Sequence, residues 1–187
     1  MFLIREGIKP IILEQESFPR FHIGESMTGE AGQLLQRLDL ENVMSKEQHP
    51  VKHGVKVLGA QAVNSWFVPV SARDADWQLS SGTCWQVRRS HFDGMMLEEA
   101  ERRGARVVRG KAVKPLVGED GGVRGVTMRR PDGSHEDIEA EVTLDGLATF
   151  LGNQRVTGPK YVGNYDKQVA FFSHATGATR DSGSSGD

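Results

Sequence analysis

The sequence predicts an α/β protein with an antiparallel β insertion, on three observations. The run Ile8-Lys9-Pro10-Ile11-Ile12-Leu13 has the length and β-branched content of a core strand. Two later segments carry apolar residues at helical spacing. Short β-rich runs separated by Gly and Pro turns lie between and after them. The order is therefore β, α, a β pair, β, α, then a β-meander.

The elements follow in chain order. Residues 1–5 read as the last turn of a helix, with Gly7 as its left-handed cap. A helix tail leading straight into a core strand is an unusual opening, so we expect sequence upstream of Met1. Residues 28–38 form a helix with Ala31, Leu34, Leu35 and Leu38 on its apolar face. Strands are expected at 55–58, at 63–70 and at 83–89. Ser90 then caps a helix that ends before Gly104, with Asp93 as capping-box partner. Its buried stripe is Phe92, Met95, Met96, Glu99 and Ala100. Strands at 105–108, 112–117 and 123–129 follow, with Gly121-Gly122 and Pro131-Asp132-Gly133 as turns. A strand at 138–144 stops at Asp145-Gly146, and 169–173 is the last strand. Residues 181–187, DSGSSGD, are small and polar, a disordered tail.

Composition narrows the function. The chain has 187 residues, 37% hydrophobic and 26% charged, as in a soluble globular protein. With 23 basic and 25 acidic residues the net charge is −2, too few clustered cations for a broad nucleic-acid surface. No apolar run is long enough for a membrane helix, and no basic region precedes an apolar stretch. We therefore expect a cytoplasmic protein. The single cysteine, Cys84, excludes an internal disulfide and a multi-cysteine metal site, and its β context beside Trp85 reads as a core thiol. Among six histidines only His49 and His53 have a metal-like spacing, and Pro50 disfavours the helix that would align them. No metal site is expected. Neither G-x-S-x-G nor a phosphate-loop lysine motif is present.

Glu14 ends the first strand. An acidic residue at the end of the second strand of a βαβ unit can accept both ribose hydroxyls of an adenosine cofactor, or can be a solvated strand end. The glycine-rich turn that should precede it by roughly 20 residues is missing, because only Gly7 lies upstream.

The segment Ser17-Phe18-Pro19-Arg20-Phe21-His22-Ile23-Gly24-Glu25-Ser26 resembles the FPRxHxGES signature of flavin-dependent halogenases and related single-component monooxygenases. Trp85-Gln86-Val87-Arg88-Arg89-Ser90-His91-Phe92-Asp93 resembles the v-x-R-x-x-F-D-x-x-L strand–helix junction of the same superfamily. The resemblance runs from Met1 to about Arg180 and implies a fold class. This is a glutathione reductase-like FAD-binding Rossmann variant with an antiparallel β-meander, lacking its first strand and glycine-rich turn. It occupies 1–160, with inserted strands at 50–82, and a β-rich substrate domain begins at 161–180.

The resemblance also implies roles. Arg20 neutralises the flavin pyrophosphate. Gly24 lets the backbone approach the isoalloxazine, and Glu25 and Ser26 hydrogen-bond around it. Arg89, near a helix N-terminus, faces a phosphate, whereas Arg88 is solvated. The stretch from Val142 through Asp145 and Gly146 to Thr149 is similar to the strand end beside the flavin, although two residues of the family pattern are absent. Lys52 matches the lysine that delivers or activates hypohalous acid. Trp66-Phe67-Val68-Pro69 lies too early to be the halogenase W-x-W-x-I-P motif.

The function implied is a fragment of an FAD-dependent monooxygenase or halogenase. It would act on a small aromatic substrate, free or carrier-tethered, through a C4a-(hydro)peroxyflavin. The flavin would be reduced by a partner flavin reductase or by NAD(P)H. Two alternatives stay open: a flavin-dependent reductase of the geranylgeranyl reductase type, and a non-catalytic remnant. Without the pyrophosphate turn we expect this chain alone to bind FAD weakly or not at all.

Overall fold

A computed structural model describes residues 1–59, 64–146, 173, 176 and 177. The elements run α1 Phe2–Arg5, β1 Ile11–Glu14, α2 Gly29–Arg37, α3 Glu41–Lys46, β2 Val51–Lys52, β3 Gly54–Leu58, β4 Ser65–Pro69, β5 Ser71–Arg73, β6 Leu79–Ser81, β7 Cys84–Trp85, α4 Arg89–Arg102, β8 Arg106–Arg109, β9 Lys111–Val117, β10 Val123–Arg129 and β11 His135–Glu139. The described residues fall into two units: 1–8, 18–59, 64–103, 176 and 177 in the first, and 9–17, 104–146 and 173 in the second.

The first unit is built on helices with well-satisfied ends. Thr28 caps α2 by accepting the Ala31 N–H at 3.3 Å. Three helices in succession end in the same reverse turn. The N–H of Ile8 reaches Leu3 O, that of Leu40 reaches Leu35 O, and that of His49 reaches Met44 O. Gly7 holds the left-handed position in the first, as expected, whereas Asp39 and Gln48 hold it in the others. These caps feed Leu40 and Met44, both fully buried, into a core with Leu35, Leu38, Trp85, Val87 and Met95.

Helix α2 packs on the strands through its glycines. A methyl group at Gly32 would sit 1.7 Å from the Thr83 carbonyl oxygen, and one at Gly29 2.0 Å from that of Ser71. The buried face is thus Gly29, Gly32 and Leu35, and Leu34, expected inside, is exposed. Apolarity alone misplaces Leu34, because close approach is achieved by residues with no side chain.

The strands here are short antiparallel pairs: β2 with β7, β3 with β4, β5 with β6. The strand expected at 63–70 ends at Pro69, and Ser71–Arg73 opens a separate pair. Helix α3 and strand β6 were not anticipated, since each is too short to show a period. The strand expected through 89 stops at Trp85, and α4 starts at Arg89 with Arg88 at its N-cap. Ser90 is therefore inside the helix rather than capping it, and no side chain caps α4. The stripe expected on α4 is correct, with Met95, Glu99 and Ala100 buried. Cys84 is a core thiol, fully buried.

In the second unit β1 lies parallel to β8, with Ile12 opposite Val107 and Glu14 opposite Arg109. The expected meander is present as an antiparallel sheet, ordered β11-β10-β9. The strand expected at 138–144 is displaced: β11 ends at Glu139, and Val142 and Leu144 are exposed. Their apolar alternation finds no partner strand among the described residues. The strand expected at 169–173 and the tail at 181–187 lie outside the described residues, Ser173 excepted. Among the described residues no helix is long and apolar enough to cross a membrane.

Candidate functional site

In the first unit the loop 20–26 lies along the segment 85–87. The Val87 N–H donates to Glu25 O at 2.8 Å, the Met27 N–H to Trp85 O at 3.2 Å, and Ser26 bridges Gln86. Pairing by backbone bonds places the whole loop beside the N-terminus of α4.

Asp93, one turn into α4, organises this junction. Its carboxylate accepts two bonds from Arg89, at 2.6 and 3.0 Å. Arg20 from the loop approaches it to 3.4 Å. The Asp93 side chain is only 11% exposed, so both pairings are partly shielded from water. Asp93 also pushes the affinity of Arg89 for its proton still higher, mainly through that hydrogen bond. Arg89 reaches back to the loop as well, donating to Ile23 O at 3.0 Å.

Two further features suit an anionic ligand. The Nε of Arg20 is buried with no hydrogen-bond partner, while its guanidinium stacks on Phe18 at 5.1 Å. Gly24 has φ +104°, and a methyl group there would come within 3.0 Å of Arg89 Nη1. Its N–H donates to Glu25 Oε2 at 3.1 Å. A cavity of about 400 Å³ opens here, lined by Phe21, His22, Glu25, Arg88, Arg89 and Ser90 among others.

Lys52 lies in the same unit. It is buried, which is rare for lysine, and its Nζ donates to Met27 O at 3.0 Å. Across the β2–β7 pair it faces Cys84, whose thiol donates to the same carbonyl at 3.2 Å. The ammonium thus meets the end of the loop just beyond Ser26.

The structure brings Arg20, Gly24, Glu25, Ser26, Arg89 and Lys52 together in one unit. Glu14, Asp145 and Gly146 belong to the other. Glu14 is half-buried at the end of β1 and accepts the Glu16 N–H at 2.8 Å. Asp145 and Gly146 lie outside any strand. Among the described residues no group of three His, Cys, Asp or Glu side chains is arranged to hold a metal.

Sequence reasoning missed the role of Asp93, assigning it to a cap. The usable signal was the spacing of Arg89 and Asp93, four apart on a helix, which pairs opposite charges.

No family model matches the chain. It is 35% identical over 179 residues to a 1H-pyrrole-2-carbonyl-[peptidyl-carrier protein] brominase of Pseudoalteromonas luteoviolacea, covering 95% of this chain and 41% of the relative. It is 29% identical to the flavin-dependent halogenase armH3 of Armillaria mellea, covering 95% of this chain and 35% of that one. Among solved structures, the flavin-dependent brominase Bmp2 matches with a TM-score of 0.68 at 32% identity, over 82% of this chain and 36% of its own. The myxobacterial chondrochloren halogenase CndH matches with a TM-score of 0.63 at 28% identity, over 74% of this chain and 31% of its own. The chain is similar to flavin-dependent halogenases along nearly its whole length and has their FAD-domain fold. It spans about two fifths of the length of the first of these curated relatives and about a third of the second.

Proposed function

We propose that this chain forms part of the flavin-binding domain of a flavin-dependent halogenase acting on a small aromatic substrate. The observation that carries the reading is the Arg20–Asp93–Arg89 cluster beside the Gly24 turn, with a buried donor left over. Asp93 and Glu25 both act on Arg89, and Arg88 lines the same cavity, so three guanidiniums meet two carboxylates and one positive charge is left for a ligand. The donor set therefore fits a diphosphate-bearing cofactor.

In the first unit Arg20 and Arg89 would hold the pyrophosphate of FAD, and Gly24 would admit the isoalloxazine edge beside Glu25 and Ser26. In the second unit Glu14 would accept from the ribose, and Asp145 and Gly146 are the residues that would serve the flavin ring there. A bound flavin supplies oxygen activation, and a flavin reductase or NAD(P)H supplies its electrons. Lys52 is the halogenation residue. Its ammonium donates an N–H to the oxygen of hypohalous acid, which weakens the O–X bond. The aromatic carbon attacks the halogen as the O–X bond breaks, the oxygen leaves as water with a proton from the ammonium, and the ring then loses its own proton, which restores the ammonium. Lys52 is buried and anchored at one N–H, so its remaining donors are held in place for this role. A carrier-tethered pyrrole, the substrate in the brominase's name, is the aromatic substrate we favour. The setting is cytoplasmic, where reduced nicotinamide is available.

FAD titration by equilibrium dialysis tests the site. The chain binds FAD with a Kd weaker than about 1 μM, since much of the diphosphate grip of this fold comes from a glycine-rich turn. Arg20→Ala and Arg89→Ala each weaken it further, by about tenfold. Equal affinity in all three proteins sinks the site, and flavin retained stoichiometrically through purification sinks the weak-binding claim. For the chemistry, Lys52→Ala in a full-length halogenase frame carrying this chain abolishes halogenation while flavin oxidation continues. Unchanged halogenation removes Lys52 from the mechanism.

A further inference from the structure

We infer that Asp93 is the positioning residue of this site: it seats the 20–26 loop on α4 and sets the angle of both arginines toward the ligand. This rests on the flavin reading above and adds to it a residue with no ligand contact of its own.

The geometry has three parts. First, α4 begins at Arg89 with no side-chain cap from Arg88, and the carboxylate's described bonds include none to a backbone N–H. Its described partners are guanidinium groups alone, Arg89 by two bonds and Arg20 at 3.4 Å. Second, those two guanidiniums come from different elements and repel each other. A shared anion between them offsets that repulsion and brings the loop to the helix. Third, Arg89, once fixed by Asp93, uses its remaining nitrogen on Ile23 O, next to the Gly24 turn. A methyl group at Gly24 would meet that same nitrogen. The position of Arg89 thus sets the position of the turn, and Asp93 sets Arg89.

Charge and position make opposite predictions for Asp93→Asn. The substitution removes a negative charge beside two arginines. If Asp93 only offset charge, an anion would then bind more tightly. If Asp93 positions, the anion binds more weakly despite the added positive charge, because the arginines lose their shared anchor. The sign of the change separates the two.

The experiment compares wild type, Asp93→Asn and Asp93→Glu. FAD and inorganic pyrophosphate affinities are measured together with amide exchange. Asp93→Asn should weaken FAD by about tenfold or more, the scale of a lost charge-assisted bidentate pair. Asp93→Glu, which keeps the carboxylate, should recover most of that loss. Exchange at the Met27 and Val87 amides, which join the loop to 85–87, should accelerate in Asp93→Asn. Exchange at the Leu38 and Leu40 amides, in the helical core, should not change, which shows that the fold is retained. Unchanged or tighter FAD binding in Asp93→Asn overturns the inference, as does failure of Asp93→Glu to recover. A wild-type chain with no affinity for FAD or pyrophosphate overturns the flavin reading instead, and the ligand-facing half of this inference with it. The exchange at Met27 and Val87 then still decides whether Asp93 seats the loop.

Discussion

Helix α4 carries two carboxylates, each between two guanidiniums, and they do different things. Glu99 accepts from Arg102 at 2.6 and 2.7 Å and from Arg103 at 2.6 Å. Both arginines stand at the C-terminal end of α4, Arg102 in its last turn and Arg103 at its C-cap. Arg103 then donates to Leu38 O at 2.6 Å, tying α4 to the C-terminus of α2. Asp93 has one arginine from its own helix and one from a distant loop. Its bond set is open, because Arg20 comes only to 3.4 Å and keeps a bare buried Nε. The two side chains are equally hidden, 9% exposed for Glu99 and 11% for Asp93. Burial therefore does not distinguish them. Saturation does: a filled set makes a structural tie, and an unfilled one leaves capacity for a ligand.

The largest expected effect breaks the filled set. Glu99→Gln leaves Arg103 without its buried carboxylate and should cost about 2 kcal/mol, read from the urea midpoint. FAD affinity should be unchanged, since Glu99 touches nothing in the loop. A Glu99→Gln protein that loses flavin affinity would erase the contrast with Asp93.

The same set has a pH signature. The arginines, Arg102 first, hold Glu99 down to a pKa of about 2 from an ordinary 4.5. Its contribution to stability is therefore complete above 4.5 and is lost as the pH falls toward 2. The acid side of the stability profile should be shallower in Glu99→Gln over that window. His49 titrates in a separate range. Burial first, then His91, lowers its pKa below 6.5, with Arg88 adding to the effect and Glu47 opposing it. The folded chain thus binds that proton less well than the unfolded one, and stability should fall as the pH drops below 6.5. His49→Gln should flatten that limb, and an unaltered profile would rule His49 out as its cause.

Next in size is Arg103→Ala. It removes the bond to Leu38 O along with a bond to Glu99, but leaves Arg102 on the carboxylate. A loss of about 1 kcal/mol is expected in the same urea assay. A loss as large as that of Glu99→Gln would mean that the tie to α2, not the carboxylate, carries the whole effect.

Much of this arrangement was legible in the sequence, and the limits are physical. The α4 stripe was readable because fourteen residues give nearly four turns of period. The meander was readable from its Gly and Pro turns. Helix α3 was not, being six residues whose only fully buried member is Met44. Leu34 was misplaced because two glycines, not leucines, make the closest contact of α2. At the site, the residues that resemble a family signature were found. Asp93 was misassigned because capping and ion pairing use the same residue types near a helix start. Only the position of Arg88 at the N-cap decides between them.

The smallest expected effect isolates what saturation means. Arg102 donates two bonds to Glu99, more than Arg103 does, yet its side chain is 69% exposed. An exposed guanidinium gives up hydration and rotamer freedom to hold that geometry, so its net contribution is small. Arg102→Ala should raise the Glu99 pKa, measured by carboxyl NMR titration, and should lower the urea midpoint at neutral pH only by the amount that this rise predicts through proton linkage. A drop that matches the pKa rise means that Arg102 acts only through the Glu99 carboxylate, with Arg103 and the Leu38 carbonyl completing the structural tie. A drop much larger than the pKa rise accounts for would show that Arg102 supports the fold in another way, and would sink the reading of Glu99 as a set that Arg103 ties to α2.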